Sequence, residues 1–315
     1  MRPLSNKSKH YGLIALKVLI LGATFWFIFN RLSSLDRTAW ETFSTALSGQ
    51  NLTYILLFIL VAGCNWLLEI TKWRTIVSPI RKINFRESAR HCLSALSASL
   101  WTPNRIGEYG VKALYFHKEE RKKVMVLNLF SNLSQMFATL LFGIPGLLYF
   151  VFRYQIDIPA WKPLLILTIV LLLLVFGYAF RKKQLLIRGL TIQKLLKFIT
   201  SISLEVRSRV VLLSLFRYIV FASLFYLLLV FFGIEIGLSQ SIPLITAMYL
   251  IASVLPSFFF TEVAIKGGVA LWLFSMAGYN EIPVLCTVTA MWLLNFVFPA
   301  VLGSFYVGQF KLAST

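Results

Sequence analysis

The sequence predicts an all-α polytopic membrane protein, with six full transmembrane helices and two re-entrant helical hairpins in an inverted-repeat arrangement. The first observation behind this is composition: of 315 residues, 58% are hydrophobic and 14% charged, where a soluble domain carries about 25% charged residues. The second is the length of the uncharged runs. Thr42 to Leu68, Val124 to Phe152, Ile236 to Thr261 and Ile282 to Phe310 each exceed the roughly 20 residues that cross a hydrocarbon core as a helix. The third is a formal net charge of +19, which in such a chain belongs to cytoplasmic loops and argues against nucleic acid as a partner. Residues 1–315 read as a single integral membrane domain.

The first span is expected from about Tyr11 to Phe29. Arg2, Lys7 and Lys9 precede it as in a signal peptide, but the apolar stretch is longer than a typical signal core. Arg31-Leu32-Ser33-Ser34 supplies no small-x-small cleavage site, so the span is read as retained. Five further full spans are expected near 52–70, 124–151, 163–180, 211–232 and 284–307, each bounded by charged or Pro/Gly-containing segments.

Two apolar regions remain, both interrupted at the middle. One runs from Glu87 to about Trp101, breaks at Thr102-Pro103-Asn104-Arg105-Ile106-Gly107 and resumes to about His117. The other runs from Ile242 to Leu255, breaks at Pro256-Ser257-Phe258-Phe259-Phe260 and resumes from Thr261 to Ala277. A half of ~15 residues spans ~22 Å of helix, short of a ~30 Å core, so both regions are expected to dip in and return. Pro103, Gly107 and Pro256 are assigned as structural helix breaks, with Gly107 allowing close backbone approach.

Basic residues test this arrangement. With the N- and C-termini cytoplasmic, 23 Lys and Arg fall inside and four (Arg31, Arg37, Arg153, Lys162) outside. Lys17, Arg105, Arg217 and Lys266 lie within apolar segments. Making either interrupted region a full span would place a basic cluster outside. The first hairpin then enters from the cytoplasm and the second from the outside, as in an inverted repeat with halves of about 11–151 and 163–310 and a site where the tips meet.

Arg105, Glu108, Glu262 and Lys266 stand out because a charge at a helix centre facing lipid costs roughly 2.5–3.5 kcal/mol. Arg105 and Glu108 are i,i+3 and Glu262 and Lys266 are i,i+4, so each couple can meet on one helical face at the start of a returning half-helix. Two readings stand: the couples lock the turns, or they line a hydrated cavity and bind a charged group, which makes these four the candidate substrate-binding residues.

Other polar residues carry weaker signals. Arg217 is expected to snorkel to the cytoplasmic interface, with a lipid phosphate as the alternative partner. Glu69, Lys72 and Arg74 read as an interfacial ion cluster at the end of a span. Asn128, Asn132, Ser134 and Gln135 form a polar stripe facing either a cavity or a neighbouring helix. The segment 181–209 mixes eight basic residues with aliphatic ones and reads as an amphipathic cytoplasmic helix on anionic inner-leaflet lipids. Cys64, Cys92 and Cys286 and the three histidines are too scattered for a metal or disulfide framework, and there is no phosphate-binding Gly-x-x-x-x-Gly-Lys loop, so no metal, cofactor or ATP site is expected.

Leu100-Trp101-Thr102-Pro103-Asn104-Arg105-Ile106-Gly107-Glu108 resembles the Pro-Gly-Arg-hydrophobic-Gly-Glu motif of the lysylphosphatidylglycerol synthase transmembrane-region family. Pro103, Arg105, Gly107 and Glu108 match, while Asn104 stands where the family usually has Gly. A second family motif is matched by Leu255, Pro256 and Glu262, with Ser257 to Phe260 replacing its glycines. The family includes the flippase half of the bacterial multiple peptide resistance factor. The resemblance implies a bacterial cytoplasmic (inner) membrane and, without the soluble aminoacyl-transferase domain of some relatives, lipid movement instead of lipid synthesis.

The expected function is therefore a flippase-like lipid translocator and not an enzyme, moving a polar or charged headgroup through a midplane cavity between the hairpins. Glu108 and Glu262 would meet a cationic part of the headgroup or carry protons, and Arg105 and Lys266 would hold its phosphate. Two alternatives are a membrane-embedded lipid-modifying transferase and a non-transporting subunit of an envelope biosynthesis complex. The expected partners are a phospholipid or other charged lipid and anionic inner-leaflet lipids, and a homo-oligomer is compatible with the sequence.

Overall fold

The computed structural model describes residues 52–99, 102, 106–156, 191–254 and 259–308, with scattered positions in 37–45 and 159–184. The side chains of 259–264 and 308 lie outside that description. The spans expected at 11–29 and 163–180, the breakers Pro103 and Pro256, and Arg105 fall on residues outside it or only partly within it.

Among the described residues, four segments are long and apolar enough to cross a membrane, with mean hydropathies of 1.7 to 2.1. They are α1 (Leu52–Val77), α4 (Arg121–Arg153), α6 (Leu204–Phe231), and the run formed by α9 (Glu281–Trp292), a π-helical stretch (Leu293–Val297) and α10 (Phe298–Gly308). They coincide with four of the six expected spans. Their outward faces are apolar and exposed, as in Leu60 on α1 and Leu133, Phe137, Leu140, Leu141 and Ile144 on α4, the surface that a hydrocarbon solvent leaves uncovered.

The interrupted regions form shorter helices: α2 (Phe85–Ser99) with α3 (Ile106–Leu114), and α7 (Leu238–Val254) with α8 (Phe259–Met276). Within each pair the chain turns back. Ser94 on α2 hydrogen bonds Tyr115 just past α3 at 2.9 Å, and the His91 and Tyr115 rings stack at 4.1 Å. A straight helix would separate Ser94 and Tyr115 by about 30 Å. Likewise Tyr279, beyond α8, donates to Gln240 at the start of α7 at 2.9 Å. The first turn is closed by Thr102, whose hydroxyl donates to the Ser99 carbonyl at 3.0 Å and accepts from the Gly107 N–H at 2.8 Å. A Cβ on Gly107 would press on that same Thr102 side chain, which is why glycine suits the first turn of the returning helix.

The two halves hold each other's arms. α2 lies antiparallel on α10: Ser97 donates to the Ala300 carbonyl at 2.7 Å, and a Cβ on Gly303 would collide with the Leu93 carbonyl. Correspondingly, α7 lies antiparallel on α4, where side chains on Gly143 or Gly146 would collide with Leu250 or Thr246. Between these layers α1 and α6 run antiparallel. Phe58 meets Phe231 edge-on at 5.0 Å near one end, and Glu69 meets Arg217 near the other.

Two apolar cores result. One joins α6, α7, α8 and α9 through Leu224, Phe225, Leu228, Met248, Phe274 and Met291. The other gathers Trp73, Ile76, Val77, Phe116, Val124 and Leu127. Within 181–209, the short helix α5 (Ile192–Ser201) is capped by the Thr191 hydroxyl and has no buried residue. Its Phe198 touches the second core.

Candidate functional site

Helical spacing places Asn65, Glu69, Lys72 and Ile76 on the inward face of α1, all buried, while Arg74 points outward. On α6 the same periodicity turns Ser214, Arg217 and Tyr218 toward α1 and α4. α3 delivers Glu108 and Lys112 from the other side.

These residues form one connected ion cluster. Glu69 Oε2 lies 2.8 Å from Lys72 Nζ and 2.9 Å from Arg217 Nη1, and Glu69 Oε1 lies 3.8 Å from Lys112 Nζ. Lys112 Nζ donates to Glu108 Oε1 at 2.6 Å and to Asn128 Oδ1 at 3.0 Å, and it sits 4.3 Å from the centre of the Trp73 ring. Lys72 and Lys112 are each 1% exposed. Lysines so placed persist only because carboxylates, an amide and an aromatic face replace the lost water. Trp73 is itself held by donating to His91 Nδ1 at 3.3 Å.

Arg217 is fixed by a second chain of contacts. Its Nε donates to Asn65 Oδ1 at 3.2 Å and its Nη1 to Gln135 Oε1 at 3.4 Å. Asn65 Nδ2 donates to Asn295 Oδ1 at 2.8 Å. Asn295 lies in the π-helical stretch, whose altered register leaves its backbone carbonyl to accept from Trp66 Nε1 at 3.2 Å. Such single-turn π segments recur where a helix must re-aim a side chain at a site.

The cluster forms part of the wall of a cavity of about 690 Å³. Glu69, Glu108, Lys112, Arg217, Asn132, Gln135 and Asn295 contribute polar groups. Tyr218, Phe221, Phe225, Tyr249, Met291 and Trp292 contribute an aromatic and apolar wall, and Ser253, Ile265 and Lys266 approach from the second helix pair. Among the described residues no group of His, Cys, Asp or Glu is arranged to hold a metal ion.

Of the residues singled out from sequence, Glu108 and Lys266 line this one cavity. The described partner of Glu108 is Lys112; Arg105 and the side chain of Glu262 lie outside the described residues. Three expectations are corrected. Arg217 does not snorkel to the interface, because Glu69, Asn65 and Gln135 hold it inside. Glu69 and Lys72 are not a solvated interfacial cluster but a buried one. Lys112, counted with the cytoplasmic loop, points inward because the returning α3 carries it back toward α1. The polar stripe of α4 faces the site: Asn128 receives Lys112, Asn132 donates to Tyr109 at 3.1 Å, and Gln135 engages Arg217. A signal for Lys112 was present in the sequence, since Glu108/Lys112 and Glu262/Lys266 repeat the same i,i+4 spacing in the two returning helices.

A comparison with curated proteins finds no match to this chain. Residues 14–303, however, match the family described as lysylphosphatidylglycerol synthase TM region. The long apolar helices and the family match together make this a multi-pass membrane protein, and the chain belongs to the lysylphosphatidylglycerol synthase transmembrane-region family.

Proposed function

We propose that the protein moves a membrane lipid with a polar or charged headgroup across the bilayer, the headgroup passing through the cavity while the acyl chains stay in hydrocarbon. The observation that carries this reading is the cavity itself: a buried ion cluster on one wall and aromatic rings on another, between helices whose outer faces are bare and apolar. Intramembrane charges face a bundle interior or a wet passage, and an amphipathic cavity suits a molecule that is itself amphipathic. The role is transport, not covalent chemistry.

In this reading the pairs α2–α3 and α7–α8 are re-entrant hairpins entering from opposite faces. The reciprocal clasping of α2 by α10 and α7 by α4 supports an inverted repeat, because exchanging the two halves maps one contact onto the other. The basic-residue count favours cytoplasmic termini in a bacterial inner membrane, with α5 resting on its anionic leaflet. Glu108, Lys266 and, by their sequence positions, Arg105 and Glu262 contact the substrate.

The test is reconstitution in vesicles with fluorescent phospholipids and a membrane-impermeant quencher. Wild-type protein is expected to expose inner-leaflet label, and Glu108→Gln and Glu262→Gln are expected to slow that exposure at least tenfold. Unchanged rates in both variants would remove the proposed site, and no movement by wild-type protein with any phospholipid would remove the function.

A further inference from the structure

Among the described residues the connected cluster holds three cations (Lys72, Lys112, Arg217) against two carboxylates (Glu69, Glu108), an excess of one positive charge that a bound anion would neutralise. The two lysines spend their charge on the carboxylates at 2.6–2.8 Å. Arg217 does not spend all of its own. Its Nε and Nη1 are engaged by Asn65, Gln135 and Glu69, whereas among the described residues Nη2 has no partner. The side chain keeps 23% of its surface exposed, and the residue lines the cavity that Lys266 enters from the second helix pair. The guanidinium is also held from behind: Asn295 in the π-helical stretch orients Asn65, and Asn65 orients Arg217.

We propose that Arg217 is the phosphate-binding residue of this cavity, taking the phosphate of a lipid headgroup on its Nη2 group with Lys266 as the second cation. Nη2 keeps two N–H donors for phosphate oxygens, and a charge-assisted hydrogen bond of this kind gains strength in a poorly hydrated site. Glu69 is the resident counter-ion that keeps Arg217 in place when no phosphate is bound. Asn65 and Asn295 are positioning residues, acting through Arg217. This assignment rests on the translocation reading for its substrate, but the phosphate site stands or falls separately.

The experiment uses the full chain in phosphate-free maltoside micelles supplemented with phosphatidylglycerol or with digalactosyl diacylglycerol of the same acyl chains, the second having hydroxyls and no phosphate. Lipid retained on extraction is read by native mass spectrometry. Wild-type protein is expected to retain phosphatidylglycerol over the galactolipid at least tenfold, Arg217→Gln to abolish the preference, and Arg217→Lys, which keeps the charge without the fork, to lower it three- to tenfold. Arg209→Gln, on the exposed surface, is expected to leave it unchanged. If Arg217→Gln does not fold once Glu69 has lost one of its cations, the Glu69→Gln/Arg217→Gln double variant removes both charges and serves in its place. Retention of the preference in either variant, or no preference in wild-type protein, overturns the assignment. Inorganic phosphate that displaces the lipid at millimolar concentration would make free phosphate the ligand and overturn the lipid source. Flip rates of the same variants in the vesicle assay separate the two claims. Movement of lipid without a phosphate preference sinks this site alone, and a phosphate preference without movement sinks translocation alone.

Discussion

The returning arm α3 presents Glu108 and Lys112 to Glu69 on α1 and Asn128 on α4. Across the cavity, α7 presents Met248 and Tyr249 to Phe221 and Phe225 on α6, with Tyr249 meeting Phe221 at 5.1 Å. Both pairs are hairpins of short helices clasped through glycine, so what separates them is the material of the seam. A charged seam is intolerant, because removing one ion strands its partners. An apolar seam degrades gradually, because side chains of similar volume can refill it. The difference concentrates the described buried charge at the seam of α3 with α1 and α4, while the α7–α6 seam is apolar and Lys266 on α8 reaches the cavity from that side.

Lys112→Met should break this comparison most sharply. It leaves Glu108 and part of Glu69 unpaired at a buried position and is expected to cost about 3–5 kcal/mol, read as a lowered denaturation midpoint in a fixed detergent. Adding Glu108→Gln should recover a sizeable part of that loss, and strict additivity of the two changes would contradict the pairing. Next come the two clasps. Gly303→Ala and Gly146→Ala each force a Cβ into a neighbouring helix and should each cost about 1–3 kcal/mol, whereas Gly63→Ala, with open space around it, should be neutral or slightly stabilising. Clearly unequal losses at Gly303 and Gly146 would argue against equivalent halves.

Asn295→Ala should cost about 1–2 kcal/mol, removing the bond to Asn65 and leaving that amide partly unsatisfied. It should also weaken phosphate-lipid retention while thermal unfolding remains cooperative. The smallest effect is expected for Met248→Leu in the apolar seam, about 1 kcal/mol or less by the same denaturation assay. A loss there as large as that of Lys112→Met would erase the distinction between the two seams.

Much of the scaffold was legible in the chain. Runs such as Val124 to Phe152 announce α4 because in hydrocarbon a backbone must bond to itself and a helix of that length does so. The interruptions were legible from length, since neither half of 87–117 or 242–277 can cross alone. The site was less legible. Lys72 and Arg74 stand two residues apart at the end of α1, yet one is buried and the other exposed. Hydropathy averages over both, and the helical period alone separates them: Asn65, Glu69, Lys72 and Ile76 follow it on one face. Lys112 was hidden by its neighbours, because it precedes the basic run Lys118 to Lys123 and charge counting assigns both to one side. Glu108, by contrast, was found because it and Arg105 follow the uncharged run Cys92 to Asn104, where a charge asks for a reason.

By itself, then, the amino-acid order determined that this chain lives in a bilayer, the regions in which its long described helices lie, and which segments are too short to cross. Those properties follow from transfer free energies and helix rise, which act residue by residue. Only the tertiary structure decided that Glu69, Lys112 and Arg217, up to 148 positions apart in the chain, share one cluster, and that Asn295 stands behind Arg217. Pairing of buried charges depends on which helices become neighbours, and that choice is made by the glycine clasps and the two apolar cores acting together.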